Sequence, residues 1–124
     1  MRFPLNGNLI EFSSASLEVN QACAIESYAN HGMCFRYGNL VIVHAILGGM
    51  HFFSQTHLFL VPPEYRPHTN AAGNIMCRRY SASVNTPLFG FPILVASDGR
   101  IAQQFNSDGE STIWEGEIFA AYTV

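Results

Sequence analysis

The chain has 124 residues (13.7 kDa) and a formal net charge of −3, set by nine acidic residues against six arginines with no lysine. That length makes one domain, spanning 1–124, large enough to bury a core without staples. The acid excess, with no basic run longer than Arg78-Arg79, argues against nucleic-acid binding. The longest apolar run, Leu40 to Leu47, is interrupted by His44 and falls far short of the roughly 20 residues of a membrane helix.

From the N-terminus, Met1-Arg2-Phe3-Pro4-Leu5-Asn6 has no continuous apolar segment, so no signal peptide is expected. A first strand is predicted at Asn8–Phe12. Ser16 to Tyr28 is the one window where helix and strand are not separable; nowhere does a 3.6-residue apolar period persist over three turns. Strands follow at Met33–Tyr37, Asn39–Leu47, His51–Phe53 and His57–Val61, with breaks at Gly38-Asn39 and Gly48-Gly49. Pro62-Pro63 ends the last of these, because proline donates no ladder hydrogen bond. Further strands are predicted at Ile75–Asn85, Pro92–Ser97, Arg100–Phe105 and Thr112–Tyr122. Asp98-Gly99 and Asp108-Gly109 are hairpin signals, and they predict that the last three strands form an antiparallel meander. The whole reads as all-β, an antiparallel sandwich or barrel.

Two strands carry apolar residues on both faces. Leu40, Ile42, His44 and Ile46 share one side of their strand, and Val41, Val43, Ala45 and Leu47 the other. His57–Val61 is similar. A strand with one wet face alternates with polar residues, so both faces of these are expected to be dry. Charged residues are only 12% of the chain, where about 25% is usual. Both features point to an interface with further copies of the chain. Tyr65, between Pro63 and Pro67, is expected to anchor its loop, ring on the sheet and hydroxyl on backbone; direct ligand contact is the alternative.

Chemistry is sparse. The histidines His31, His44, His51, His57 and His68 lack paired zinc-ligand spacing, although a three-fold axis would gather one from each subunit. No cofactor is expected. Cys23, Cys34 and Cys77 are an odd set without a C-x-x-C and read as reduced and buried. Asn106-Ser107-Asp108-Gly109-Glu110 resembles a calcium loop but lacks its alternating carboxylates, so a turn is expected. Glu115 and Glu117 share a strand face, the arrangement of solvated carboxylates rather than of a dyad facing across a cleft. No nucleophile elbow is present, and an enzyme is not expected. Trp114 shares a face with Ile118, Ala120 and Tyr122. It is read first as a core residue, and alternatively as a platform for a sugar ring. Arg78, Arg79 and Tyr80 make a second polar–aromatic cluster.

Val61-Pro62-Pro63-Glu64-Tyr65-Arg66-Pro67 follows an apolar strand, and Ser97-Asp98-Gly99-Arg100-Ile101 turns a later pair. With Tyr37-Gly38-Asn39-Leu40-Val41, the segment Ile93–Ile101 and the closing Ile118-Phe119-Ala120-Ala121-Tyr122, this order resembles the C-terminal head domain of bacteriophage tail-fibre and baseplate receptor-binding proteins. The resemblance covers 33–122, with 1–32 as a lead-in. It implies a homotrimeric jelly-roll-like head on a phage or prophage virion, made in the bacterial cytoplasm and joined to a larger tail or baseplate assembly. The head would bind host cell-surface polysaccharide without catalysis. Candidate ligand contacts are Trp114, Tyr80, Arg78, Arg79, His68 and Asn70. Such heads usually close a longer chain, whereas the 32 residues before Met33 show no heptad or collagen-like period. Competing readings are a structural tail or capsid-decoration component, a trimeric protein-binding jelly roll of the tumour necrosis factor or complement-head kind, and a small glycan-active enzyme.

Overall fold

A computed structural model describes residues 2–5, 8–53, 56–80, 86–104 and 109–124. Among them there is no α-helix; the chain forms β1 (Arg2–Leu5), β2 (Asn8–Ser16), β3 (Glu18–Val19), β4 (Asn30–Tyr37), β5 (Leu40–Phe52), β6 (Phe59–Leu60), β7 (Ala71–Arg79), β8 (Phe89–Val95), β9 (Arg100–Gln103) and β10 (Gly109–Thr123). A single 3-10 turn, Pro63–Tyr65, follows β6. No helix among the described residues is long and apolar enough to cross a membrane.

All pairings are antiparallel, in the order β1-β2-β4-β5-β10-β7-β8-β9-β6-β3. The two ends of this sheet belong to one chain segment. β2 lies against β4, and after Leu17, whose N–H donates to Gly32 O at 2.9 Å, β3 lies against β6. The sheet is thereby nearly closed into a barrel, and the lead-in supplies the strands that close it. The Ser16–Tyr28 window therefore contains strand β3 and turns rather than helix. It also holds the isolated bridge Ala24↔Met50.

Inward-facing side chains fill the barrel. Val41, Val43, Ala45 and Leu47 of β5 meet Ile75 and Cys77 of β7 and Ile118 and Ala120 of β10, all buried. Phe52, Leu58, Phe59, Ile93, Val95 and Ile101 complete the core. At roughly 1.5–3 kcal/mol for each fully buried large aliphatic or aromatic side chain, this interior is the main source of stability.

Several sequence expectations need correction. The final three strands are not a meander: β8 and β9 do pair, but β10 lies between β5 and β7. Length explains this, since four-residue β9 offers a short ladder, whereas β5 and β7 offer thirteen and nine residues to fifteen-residue β10. Gly48-Gly49 does not end a strand; β5 runs through it. β6 is only Phe59–Leu60, and β7 begins at Ala71, earlier than expected. Within one chain β5 has a single dry face. Leu40 is 40% exposed, and Ile42, His44 and Ile46 are half-buried. Asn106 to Asp108, with the expected turn there, and residues 81–85 of the expected Ile75–Asn85 strand lie outside the described residues.

The proline loop is built as an anchor. Tyr65 is buried, its hydroxyl donates to Ser13 Oγ at 2.9 Å rather than to backbone, and its carbonyl accepts the Tyr122 hydroxyl at 2.6 Å. The Asp98-Gly99 hairpin is confirmed, with Gly99 at φ 95. The Asp98 carboxylate is held below its ordinary pKa, first by the Arg100 backbone N–H and then by the Arg100 side chain.

Candidate functional site

Alternation along β10 sends Trp114 and Ile118 inward and Glu115, Glu117 and Phe119 outward. The antiparallel register with β7 sets Arg78 beside Glu115 and Met76 beside Glu117. On the other side, β5 sets Ile46 beside Glu117 and His44 beside Phe119. Ile46, Met76, Arg78, Glu115 and Glu117, with Leu88, wall an open groove of about 430 Å³ on the outside of the barrel. Gly116 lies at its base, where β7 and β10 approach so closely that a Cβ would collide with the Met76 carbonyl oxygen.

Arg78 Nε donates to Glu115 Oε1 at 2.9 Å, an ion pair that fixes both side chains across the groove. Exposed pairs of this kind add at most about 1 kcal/mol, so their value here is orientation. Glu117 is 65% exposed, and His44 Nε2 stands 3.9 Å away, beyond hydrogen-bond reach.

Beyond Arg78 along the sheet, outside the groove's lining, two tyrosines pack together. Register slips there, because Trp114 opposes Met50 while Gly116 opposes Leu47, which gives β5 one residue more than β10. This bulge falls at Gly48-Gly49. Asn30 clamps it: its Nδ2 donates to Gly49 O at 3.0 Å, and its Oδ1 accepts from Gly49 N at 3.1 Å. The Tyr28 ring lies directly on Gly49, where a Cβ would come within 2.7 Å of it. Tyr80 packs edge-on to Tyr28, centroids 5.3 Å apart at 61°. The Tyr28 phenol is raised above its ordinary pKa, first by a hydrogen bond with Tyr80, with some desolvation and with the nearby Tyr80 and Glu115 adding to it.

The six expected contacts do not form one site. Arg78 lines the groove, and Tyr80 follows two residues later in the chain, outside its lining. Trp114 is a core residue, 3% exposed, stacked on Phe52 at 5.3 Å and 1° and flanked edge-on by Phe89 and Phe91. It offers no face to a sugar; burying so large a ring outweighs leaving it wet. The Arg79 guanidinium lies 5.6 Å over that same ring and so turns away from Arg78. His68 and Asn70 precede the opposite end of β7, with Asn70 about 26 Å from Arg78 at roughly 3.3 Å per residue. Asn70 Oδ1 accepts the Ser97 N–H at 3.1 Å, which braces the hairpin.

Nothing in the sequence pattern singles out Met76 and Leu88 of the groove or Tyr28 near it, and strand parity alone makes Glu115 and Glu117 solvated carboxylates. Tyr28 sat in the ambiguous window. The doubled glycine is the one local signal, since it marks a bulge that leaves room for an aromatic ring.

Two other concavities differ in character. One, of about 510 Å³, includes Arg36, whose Nε and Nη1 donate to the carbonyls of Gly38 at 2.8 Å and Glu64 at 2.6 Å. That arginine ties the proline loop to β4. The other, about 320 Å³, is lined by His57, Leu94, Ala96, Arg100 and Ala102. Cys23, Cys34 and Cys77 are buried free thiols. Among the described residues, no three His, Cys, Asp or Glu side chains gather closely enough to hold a metal. No protein-family model matches the chain, and no curated protein matches it.

Proposed function

We propose that the chain is a non-catalytic saccharide-binding head, that its site is the outer groove of β5, β10 and β7, and that it works as a homotrimer on a phage tail. The observation that carries the reading is an open groove crossed by the Arg78–Glu115 ion pair, with the Tyr28–Tyr80 pair outside it, beyond Arg78 along the strand. Aromatic faces cover the C–H patches of a sugar ring, and planar charged groups pair with vicinal hydroxyls. An open groove admits an internal stretch of a polymer. The carboxylates stand side by side on one strand rather than across a cleft, which suits binding without bond cleavage.

The trimer reading is supported by the surface next to the groove. Register aligns Met33, Phe35 and Tyr37 of β4 with His44, Ile42 and Leu40 of β5, and these with Phe119, Ala121 and Thr123 of β10. Phe119 is 54% exposed. A continuous outer face this apolar is typical of interaction surfaces. The phage setting rests on the resemblance in the loop and closing-strand motifs.

The test is a glycan array of bacterial cell-wall polysaccharides probed with wild type, Tyr80→Ala and Arg78→Ala. Binding by wild type, lost in both variants, is the expected result. Release of reducing sugar, or equal binding by all three proteins, would overturn it.

A further inference from the structure

We infer that the β1–β2 hairpin is an assembly arm: it leaves its own barrel and lies on the outer face of β4 and β5 of a neighbouring copy. This inference rests on the trimer reading above and names the segment that joins the copies.

The sheet register shows the arm. β2 pairs with β4 from Ser16↔Met33 to Phe12↔Tyr37, and Tyr37 is the last residue of β4. Residues 8–11 have passed that end. Their ladder is with β1, from Glu11↔Arg2 to Asn8↔Leu5. No element other than β2 takes substantial contact from β1. The root of the hairpin is fixed, because Gly38 N donates to Glu11 O at 2.9 Å. Beyond it the four residues of β1 measure about 13 Å, at roughly 3.3 Å per residue.

A two-stranded ribbon is marginal in water, since it has no second layer to pack against. This one is mostly apolar in sequence, with Phe3, Pro4, Leu5, Leu9 and Ile10. Its two charges, Arg2 and Glu11, stand opposite one another in the register and offset each other. Pro4 has no N–H to give, which guards the edge strand against addition of a further strand. The ribbon is therefore suited to lying flat on an apolar surface rather than to extending a sheet.

A second copy supplies that surface. The outer face of β4 and β5 carries Phe35, Tyr37, Leu40 and Ile42, and neither strand holds an acidic residue. Tyr37 and Leu40 stay 38% and 40% exposed, so the chain's own arm does not cover them. The face begins at the arm's root, where Phe12 packs on Tyr37 with centroids 4.9 Å apart. An arm extended past the barrel's end meets the next molecule there. Arm and receiving face are different surfaces, so the contact runs head to tail, and such contacts close into rings when the rotation allows, as in a three-fold assembly.

Light scattering at micromolar concentration on wild type and on a chain shortened by residues 1–7 tests this. The shortened chain loses β1 and keeps every β2–β4 pair. Wild type should give about three times 13.7 kDa, and the shortened chain a threefold lower mass with the β-sheet spectrum retained. Hydrogen exchange on the full chain decides independently of how the shortened one folds. Amides of β1 and of residues 8–11 should exchange slowly at micromolar concentration and rapidly once dilution brings the mass to one copy, while those of β5 and β10 stay slow throughout. A shortened chain that keeps the wild-type mass, or arm amides indifferent to dilution while the mass falls, would overturn the arm and leave the trimer standing. A wild-type mass of a single copy would overturn both.

Discussion

Gly49 and Gly116 decide where the groove's side chains can sit. The Tyr28 ring occupies the space above Gly49 that any Cβ would take. Gly49→Ala should therefore displace Tyr28 from Tyr80 while leaving the inward face of β5 intact. Saccharide binding should fall more than stability does, and paired melting and binding curves on the variant separate the two. Gly116 is different in kind, because a side chain there meets backbone of β7, which cannot move without opening the sheet. Gly116→Ala should lower the melting temperature outright. Tyr65 carries the proline loop: its ring is buried, and it bonds both Ser13 and Tyr122. Tyr65→Ala should cost on the order of 3–5 kcal/mol in a denaturant titration and leave groove binding unaffected in the folded fraction. The buried thiols set the alkaline limit. Burial pushes Cys34 up to about 11 and Cys77 up to about 12 from an ordinary 9.0, and Cys23 in the same direction. The folded state thus holds these protons more tightly than the unfolded chain. Their stabilising effect is complete below about pH 9 and is lost as pH rises towards 12. Melting temperature should fall across that window, and thiol-reactive dye should label the protein rapidly only after denaturant is added.

The barrel's seams differ in strength, and the strand lengths say where it opens first. β5 and β10 share a long central ladder, whereas β3 and β6 meet over two residues, Glu18↔Leu60 and Val19↔Phe59. Native-state hydrogen exchange should show the amides at the β3–β6 seam exchanging well before those of β5 and β10. Equal protection at both would mean that the closure is as strong as the centre. These same elements show how far the sequence could be read. The all-β class, the Gly38-Asn39 and Asp98-Gly99 turns and the Tyr65 anchor were legible because each depends on local chemistry: alternation, glycine at positive φ, proline at a strand end. The place of β10 was not, because it depends on matching ladder lengths between strands far apart in sequence. Hairpin signals name neighbours in the chain, not neighbours in the sheet. The site was half legible for the same reason. Arg78 and Tyr80 stood out as a local cluster, but Tyr28 reaches them only through the bulge at Gly48-Gly49 and the Asn30 clamp. Parity placed Trp114 with apolar neighbours, and its burial follows.

Assembly joins the weak site to its proposed task. The outer face of β4, β5 and β10 is apolar over Met33, Phe35, Tyr37, Leu40, Ile42 and Phe119, and lysine, which commonly guards exposed sheet surfaces, is absent from the chain. If that face packs against further copies, light scattering at micromolar concentration should give about three times 13.7 kDa. Ile42 lies outward at the middle of the face, between Phe35 and Ala121. Ile42→Glu should therefore release monomers with an unchanged β-sheet spectrum, since the inward neighbours Val41 and Val43 keep their packing. A wild-type mass of 13.7 kDa would refute the assembly and leave the apolar face without a covering. Each groove is shallow and open, so one site should bind a repeat unit weakly, whereas three linked sites meet a polysaccharide surface at high effective concentration. Wild type should then bind host cells far more tightly than it binds the free repeat unit. Ile42→Glu should lose the first affinity and keep the second, because the groove residues Arg78 and Glu115 remain in place. If Ile42→Glu binds cells as well as wild type does, avidity is not how this surface works.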